Sequence, residues 1–244
     1  MNRYYYDLHI HSCLSPCAEN DMTPCNIAGL AALNGLQIVA LTDHNSGKNC
    51  PAFYKAAKNY GVIPVAGMEL TTAEEVHLVC LFPTLEDAMA FSEEIDKRRI
   101  RIANRKDIFG DQLVMDEDDN VLAEEENLLP NATTVGLEEA PEIVERHHGL
   151  CYPAHIDREA NGIIAILGEM PKVPEFACYE MRDRENIPDY TERYGLQGKT
   201  VVISSDAHMI EQLKEKENYF DLDDEPYSGD KVRSELFKKL RGIA

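Results

Sequence analysis

Polar and apolar side chains alternate through the first dozen residues. Tyr6, Leu8 and Ile10 fall on one face of an extended segment, and Asp7, His9 and His11 on the other. The aromatic and β-branched content favours a strand. Two imidazoles at i and i+2, about 7 Å apart along a strand, can both reach one metal ion, with Asp7 placed to orient a ligand from behind. The same pattern also fits an edge strand whose histidines face water.

Further along, Thr23-Pro24 reads as a helix start, and Ile27, Leu30, Ala31 and Leu33 form a helical stripe that stops at Gly35. Gln37 to Leu41 is a short apolar strand running into Thr42-Asp43-His44. A helix over about Pro51–Tyr60 precedes a strand at Val62–Ala66, which delivers Gly67-Met68-Glu69. Val76–Phe82 is a strand with His77 near its start, and Thr84 with Asp87 begins a charged helix running to about Ile102. From Asn104 to Thr134 the periodicity fails, and this acidic stretch is expected to be an insertion or lid. A helix near Pro141–His148, strands at Leu150–Ala154, Phe176–Met181 and Thr200–Ser204, and an amphipathic helix at Lys231–Leu240 complete the chain.

Seven strands alternating with helices predict a mostly parallel sheet, and 244 residues without a linker favour one closed barrel-type domain over residues 1–244. The polar residues support this. His9, His11, His44, Glu69, His155, Asp206 and His208 stand at or just past strand C-termini, where a barrel builds its active site. With His77 they make eight nitrogen and carboxylate candidates suited to zinc, manganese or iron. One ion takes about four to six ligands, so the set implies two or three ions. His147 and His148, at a helix end, read as surface residues.

Composition narrows the partners. With 44 acidic and 24 basic residues the formal charge is −20, which argues against long nucleic acid and for a small phosphorylated substrate. The seven cysteines, with neither an export signal nor an apolar run long enough for a membrane span, suggest a reducing cytoplasm. Cys13, Cys17, Cys25 and Cys50 lack the paired spacing of a cysteine metal site.

Asp7-Leu8-His9-Ile10-His11-Ser12, Thr42-Asp43-His44, Gly67-Met68-Glu69, Ala154-His155 and Ser205-Asp206-Ala207-His208 resemble, in order and spacing, the polymerase and histidinol phosphatase (PHP) family. The resemblance covers nearly the whole chain outside 104–134. It implies an α/β fold of the distorted (β/α)7 TIM-like barrel type that hydrolyses phosphoesters with a metal cluster. By the same resemblance, His9, His11, Glu69 and Asp206 would hold a first ion. Glu69 would bridge to a second held by His77 and His155, and His44 and His208 would bind a third. The family's further ligand after the first motif is missing. Pro16 stands where an aspartate is expected, and Cys17, where a histidine is expected, becomes the substitute ligand.

The expected activity is that of a cytoplasmic, metal-dependent phosphoesterase acting through a metal-bridging hydroxide. Glu69 would be the bridge, Asp43 would orient a ligand or water, and Arg158 would contact the substrate phosphate, with Lys48 a weaker candidate for that contact. Two other readings stay open: a short-oligonucleotide 3′–5′ exonuclease, and a metal-binding regulatory module without catalysis.

Overall fold

The computed structural model describes residues 1–243. In chain order it has β1 (Asn2–Asp7), α1 (Pro24–Leu33), β2 (Ile38–Leu41), α2 (Cys50–Asn59), β3 (Ile63–Thr71), β4 (His77–Phe82) and α3 (Leu85–Arg98). A short α4 (Lys106–Phe109) and the hairpin β5 (Leu113–Met115) and β6 (Val121–Glu124) follow. Next come α5 (Ala140–Arg146), β7 (Leu150–Pro153), α6 (Ile163–Leu167), β8 (Cys178–Met181), α7 (Ile187–Arg193), β9 (Thr200–Ile203), β10 (Tyr219–Leu222) and α8 (Gly229–Leu240).

The expected N-caps form. The Thr23 side chain accepts the Asn26 N–H at α1, and the Thr84 side chain accepts the Asp87 N–H at α3. The main sheet has the order β10-β1-β2-β3-β4-β7. β1, β2 and β3 are parallel, and β2 and β3 are buried throughout, as strands covered on both faces should be. The expected parallel order breaks at β4. Only residues 72–76 separate it from β3, too few for a crossover helix, so it returns antiparallel and pairs antiparallel with β7 as well. That reversal puts His77, the first residue of β4, opposite Thr71 at the end where β1, β2 and β3 finish.

The parallel pair β8–β9 curls the sheet round towards β1. Glu180 O accepts the Ile156 N–H at 2.9 Å beyond β7. On the other side the Asp206 N–H donates to His9 O and the His11 N–H to Ala207 O, both at 3.0 Å. β10, α6 and α7 are additions to the sequence-based assignment; β10 pairs antiparallel with β1 and covers its edge.

One face of the sheet packs against α1, α2 and α3 through Ile27, Phe53, Phe91, Val39 and Met68. The other carries Tyr6, Leu8, Ile38, Val65, Val79 and Tyr152 and is covered by Val232, Leu236 and Leu240 of α8, the stripe expected of that helix. The N-terminal alternation does not persist. Tyr6 and Leu8 join the α8 side, whereas Ile10 joins the opposite cluster. Pairing of β1 with β2 ends at Asp7 and Val39, so the pleat stops before the histidines.

Residues 104–134 sit against the loops at the strand C-termini. The Leu113 N–H donates to Cys13 O (2.8 Å), the Met115 N–H to Asn49 Oδ1 (2.9 Å), and Asn45 Nδ2 to Leu129 O (2.8 Å). Glu125 is buried there beside Lys48 and Arg99. Burial opposes ionisation, yet those two cations hold its carboxyl down to about 2.

Gly67 fixes the path of β3. A Cβ there would meet Cys80 O at 2.7 Å and Thr42 Cγ2 at 2.8 Å. Backbone must therefore move in Gly67→Ala, at a cost of about 1–3 kcal/mol, measurable by urea denaturation. Unchanged stability would show that β3 tolerates the displacement.

Candidate metal centre

Glu69 lies within β3 rather than past its end, and its carboxylate is 1% exposed. Five imidazole nitrogens surround it. His77 Nδ1 stands 2.8 Å, His155 Nε2 3.1 Å and His9 Nε2 3.4 Å from Oε1. His44 Nδ1 is 3.0 Å and His11 Nε2 3.3 Å from Oε2. Asp206 Oδ1 is 3.3 Å from His11 Nε2 and 3.5 Å from His9 Nε2. Ligand atoms fall within 4.8 Å of one another in three groups: His9, His11 and Asp206; His44, Glu69 and His77; and His11, His44 and His208. The first group plus Glu69 is the first-ion set implied by the family resemblance. In the second, His44 stands with Glu69 and His77, while His155 approaches Glu69 from β7.

The electrostatics are compatible with a bound cation. Burial opposes charge on Glu69, but His77, His9 and His44 hold its carboxyl well below the usual range. Burial pushes His77 down to about 4 and, with His11 nearby, His208 to about 3. His9 and His11 are also buried, yet adjacent carboxylates raise both, His11 to about 9. His44 is raised to about 9 against its burial by Cys17 and Glu69. The rings cannot all be protonated together. His44 Nδ1, close to Glu69 but off the hydrogen-bond direction, lacks a partner, as do His155 Nδ1 and Asp206 Oδ1. His9 and His11 aim Nε2 at each other across 3.1 Å. Converging nitrogen and carboxylate donors with unpaired atoms fit zinc, manganese or iron.

The rings are held from behind. Glu180 Oε1 stands 2.9 Å from His9 Nδ1 and accepts the His155 N–H at 3.1 Å. Ser15 Oγ is 3.1 Å from His11 Nδ1 and donates to Asp43 Oδ1 at 2.7 Å. Both contacts favour a proton on Nδ1 and leave Nε2 as the ligand atom. Asp43 therefore orients His11 through Ser15; it also takes the Ser12 N–H and hydroxyl, and does not line the cavity. Asp7 accepts the backbone N–H groups of His9 and Ser205 and makes no contact with a ring. His155 (φ 28°) and Asp206 (φ 51°) occupy the left-handed region, backbone strain concentrated at two candidate ligands.

The cavity of about 420 Å³ above Glu69 is lined by Cys17, His44, His77, Arg158 and His208, and by Phe109, Leu128, Pro130 and Asn131 from segment 104–134. Cys17 is exposed, beside His44 but outside the three tight groups. Arg158 pairs with Asp206 at 3.1 Å rather than with its sequence neighbours. Lys48 is occupied by Glu125. His147 and His148 make outer ion pairs with Glu94 and Asp87. Glu180 and Ser15 were not anticipated; Glu180 had a signal, as the one charged residue in the apolar run Phe176–Met181.

The PHP domain family matches residues 7–148, and the chain belongs to that family. An error-prone DNA polymerase of Symbiobacterium thermophilum is 34% identical over 77 residues, 32% of this chain and 7% of the polymerase. The lesion-specific endonuclease PfuEndoQ of Pyrococcus furiosus superposes over 100% of this chain and 57% of its own, with a TM-score of 0.66 and 20% identity. Endonuclease Q in complex with a 27-mer duplex carrying an abasic lesion matches with a TM-score of 0.65, 20% identity and the same coverage. A candidate metal-dependent phosphoesterase of Bifidobacterium adolescentis gives a TM-score of 0.55 at 17% identity, over 84% of this chain and 88% of that one. The chain thus spans little more than half of the endonuclease and a small part of the polymerase.

These matches correct the expected partner. Endonuclease Q, which shares its fold with this chain over part of its length, takes a 27-mer duplex as substrate, so the net charge was no ground for favouring a small substrate over long nucleic acid. Charges further apart than the Debye length, about 8–10 Å at physiological salt, are screened, and a whole-chain sum says little about one cleft.

Glu180→Gln is expected to weaken metal retention by about 10-fold or more, read by competition with a chromogenic chelator. Wild-type affinity would remove Glu180 from the centre.

Proposed function

We propose that this chain is a metal-dependent phosphoesterase that hydrolyses a phosphodiester of a nucleic-acid strand. The observation that carries the proposal is the buried Glu69 carboxylate with five imidazole nitrogens within 3.4 Å, opening on a cavity edged by Arg158. His9, His11, Glu69 and Asp206 would hold one divalent ion, and His77 and His155 a second shared through Glu69. His44 and His208, with Cys17 at the rim, would hold a third. Such ions, zinc, manganese or iron, activate water and neutralise phosphate charge.

The chain's own residues supply the remainder. Glu69 keeps the cluster together, and Asp43 fixes the His11 ring through Ser15. Arg158, 38% exposed on its side chain and paired with Asp206, would meet a phosphate oxygen. Residues 1–244 act in this reading as one barrel-type unit, with 104–134 an insertion walling the cavity through Phe109, Leu128 and Pro130. Seven free cysteines accord with a cytoplasmic setting; among the described residues no helix is long and apolar enough to cross a membrane.

The test is elemental analysis of protein purified without chelator, followed by cleavage of end-labelled single-stranded and abasic-duplex DNA with manganese. At least two equivalents of metal and strand cleavage are expected. Glu69→Gln should lower the rate at least about 100-fold with an unchanged circular-dichroism spectrum, and lose more metal than His147→Ala. Less than one equivalent, or full activity in Glu69→Gln, would remove the cluster from the chemistry.

A further inference from the structure

A second cleft, of about 450 Å³, adjoins the metal cavity; Cys17, Arg158 and His208 line both. Beyond them its walls carry Arg182, which follows β8, and Lys214, which follows the turn after His208. Ser205 and Gln212 lie between, and Glu211 is the cleft's one acid besides Asp206. Arg182 and Lys214 are exposed, and among the described residues neither has a carboxylate within ion-pair distance. In a chain with 44 acids to 24 bases, two cations facing one cleft without partners leave it locally positive. The third cation, Arg158, is tied to Asp206 at the junction with the metal cavity.

We propose that this cleft is a subsite for the phosphate next to the scissile one, so that the strand runs from the metal cavity across Arg158 towards Arg182 and Lys214. The proposal rests on the nuclease reading above and adds a direction to it. Successive phosphates of a strand lie several ångströms apart, so a linkage seated over Glu69 puts its neighbour outside the metal cavity. On this side the donors that meet it are guanidinium, ammonium, hydroxyl and amide groups, the groups that commonly bind nucleic-acid backbones. Phe109, Leu128 and Pro130, which line the metal cavity but not the second cleft, present apolar surface suited to a base. Phosphates and bases thus have separate walls.

The test uses metal-replete protein and a fluorescent single-stranded DNA 12-mer with phosphorothioate linkages that resist cleavage, its affinity measured against salt concentration. Arg182→Gln combined with Lys214→Gln should weaken binding about 10-fold and flatten the logarithmic salt slope by about 0.7, the loss of one single-strand phosphate contact. Lys58→Gln with Lys97→Gln, the same charge change on exposed lysines of α2 and α3, should leave the slope unaltered. In turnover, the ratio of kcat/KM for a cleavable 12-mer to that for bis(p-nitrophenyl) phosphate should fall about 10-fold in the cleft variant. An unchanged slope and ratio in that variant, with strand cleavage intact, overturn the subsite and leave the nuclease reading standing. Cleft-dependent binding without any strand cleavage leaves the cleft a strand-phosphate site and overturns the nuclease reading. If inorganic phosphate binds with the same dependence on Arg182 and Lys214 as the 12-mer, the cleft is a general anion site and the strand assignment falls.

Discussion

The whole arrangement depends on a buried carboxylate that has to be neutralised. Glu69 is in the middle of the sheet, with water excluded and positive charge provided only by what the neighbouring strands deliver. An ionised carboxylate left alone there would be strongly unfavourable. The imidazoles come from β4, from the loops after β1 and β2, and from the loop after β7. Most of the strands that curl around the α8 side are therefore answerable to one side chain. The antiparallel turn into β4 follows the same logic, because without it His77 would point its nitrogen at the wrong end of the sheet.

Behind the imidazoles, Glu180 and the Ser15–Asp43 pair convert a collection of rings into an oriented set. Each stands behind one Nδ1, which fixes where the opposite nitrogen aims. The strained backbone at His155 and Asp206 is held by the same neighbours: Glu180 takes the N–H of one, and His9 O takes the N–H of the other. Strain of this kind persists only where surrounding contacts over-determine it.

Much of this was legible from residue order. Charged and imidazole side chains at the ends of several apolar runs marked the centre, since their convergence at strand ends is hard to explain one residue at a time. The direction of β4 was not legible, because a run of alternating or apolar residues reads the same both ways; only the shortness of residues 72–76 hinted at it. The break in the pleat after Asp7 was hidden for a related reason. Periodicity assumes that a strand continues, and the pairing that ends at Val39 is a tertiary event. Segment 104–134 read as irregular because its order comes from backbone contacts to Cys13, Asn45 and Asn49 rather than from its own apolar pattern. Glu180 was passed over because one acid in a short strand looks like noise until its partner, 171 residues away, is known.

The hairpin of β3 and β4 joins Glu69 and His77 through a handful of residues, whereas His9 and Asp206 belong to opposite ends of the chain. The two halves of the centre therefore have different histories as the protein folds. The hairpin half assembles locally, on the microsecond scale of such units. The other half waits until most of the polypeptide has been drawn into a loop, a far costlier closure than that of the hairpin. A cation seated between His9, His11 and Asp206 would work as a clasp on that loop, fastening the segment after β1 to the segment after β9. Its departure would loosen the seam between β1 and β9 while leaving the hairpin whole, so a metal bound there would also tie together distant stretches of the chain.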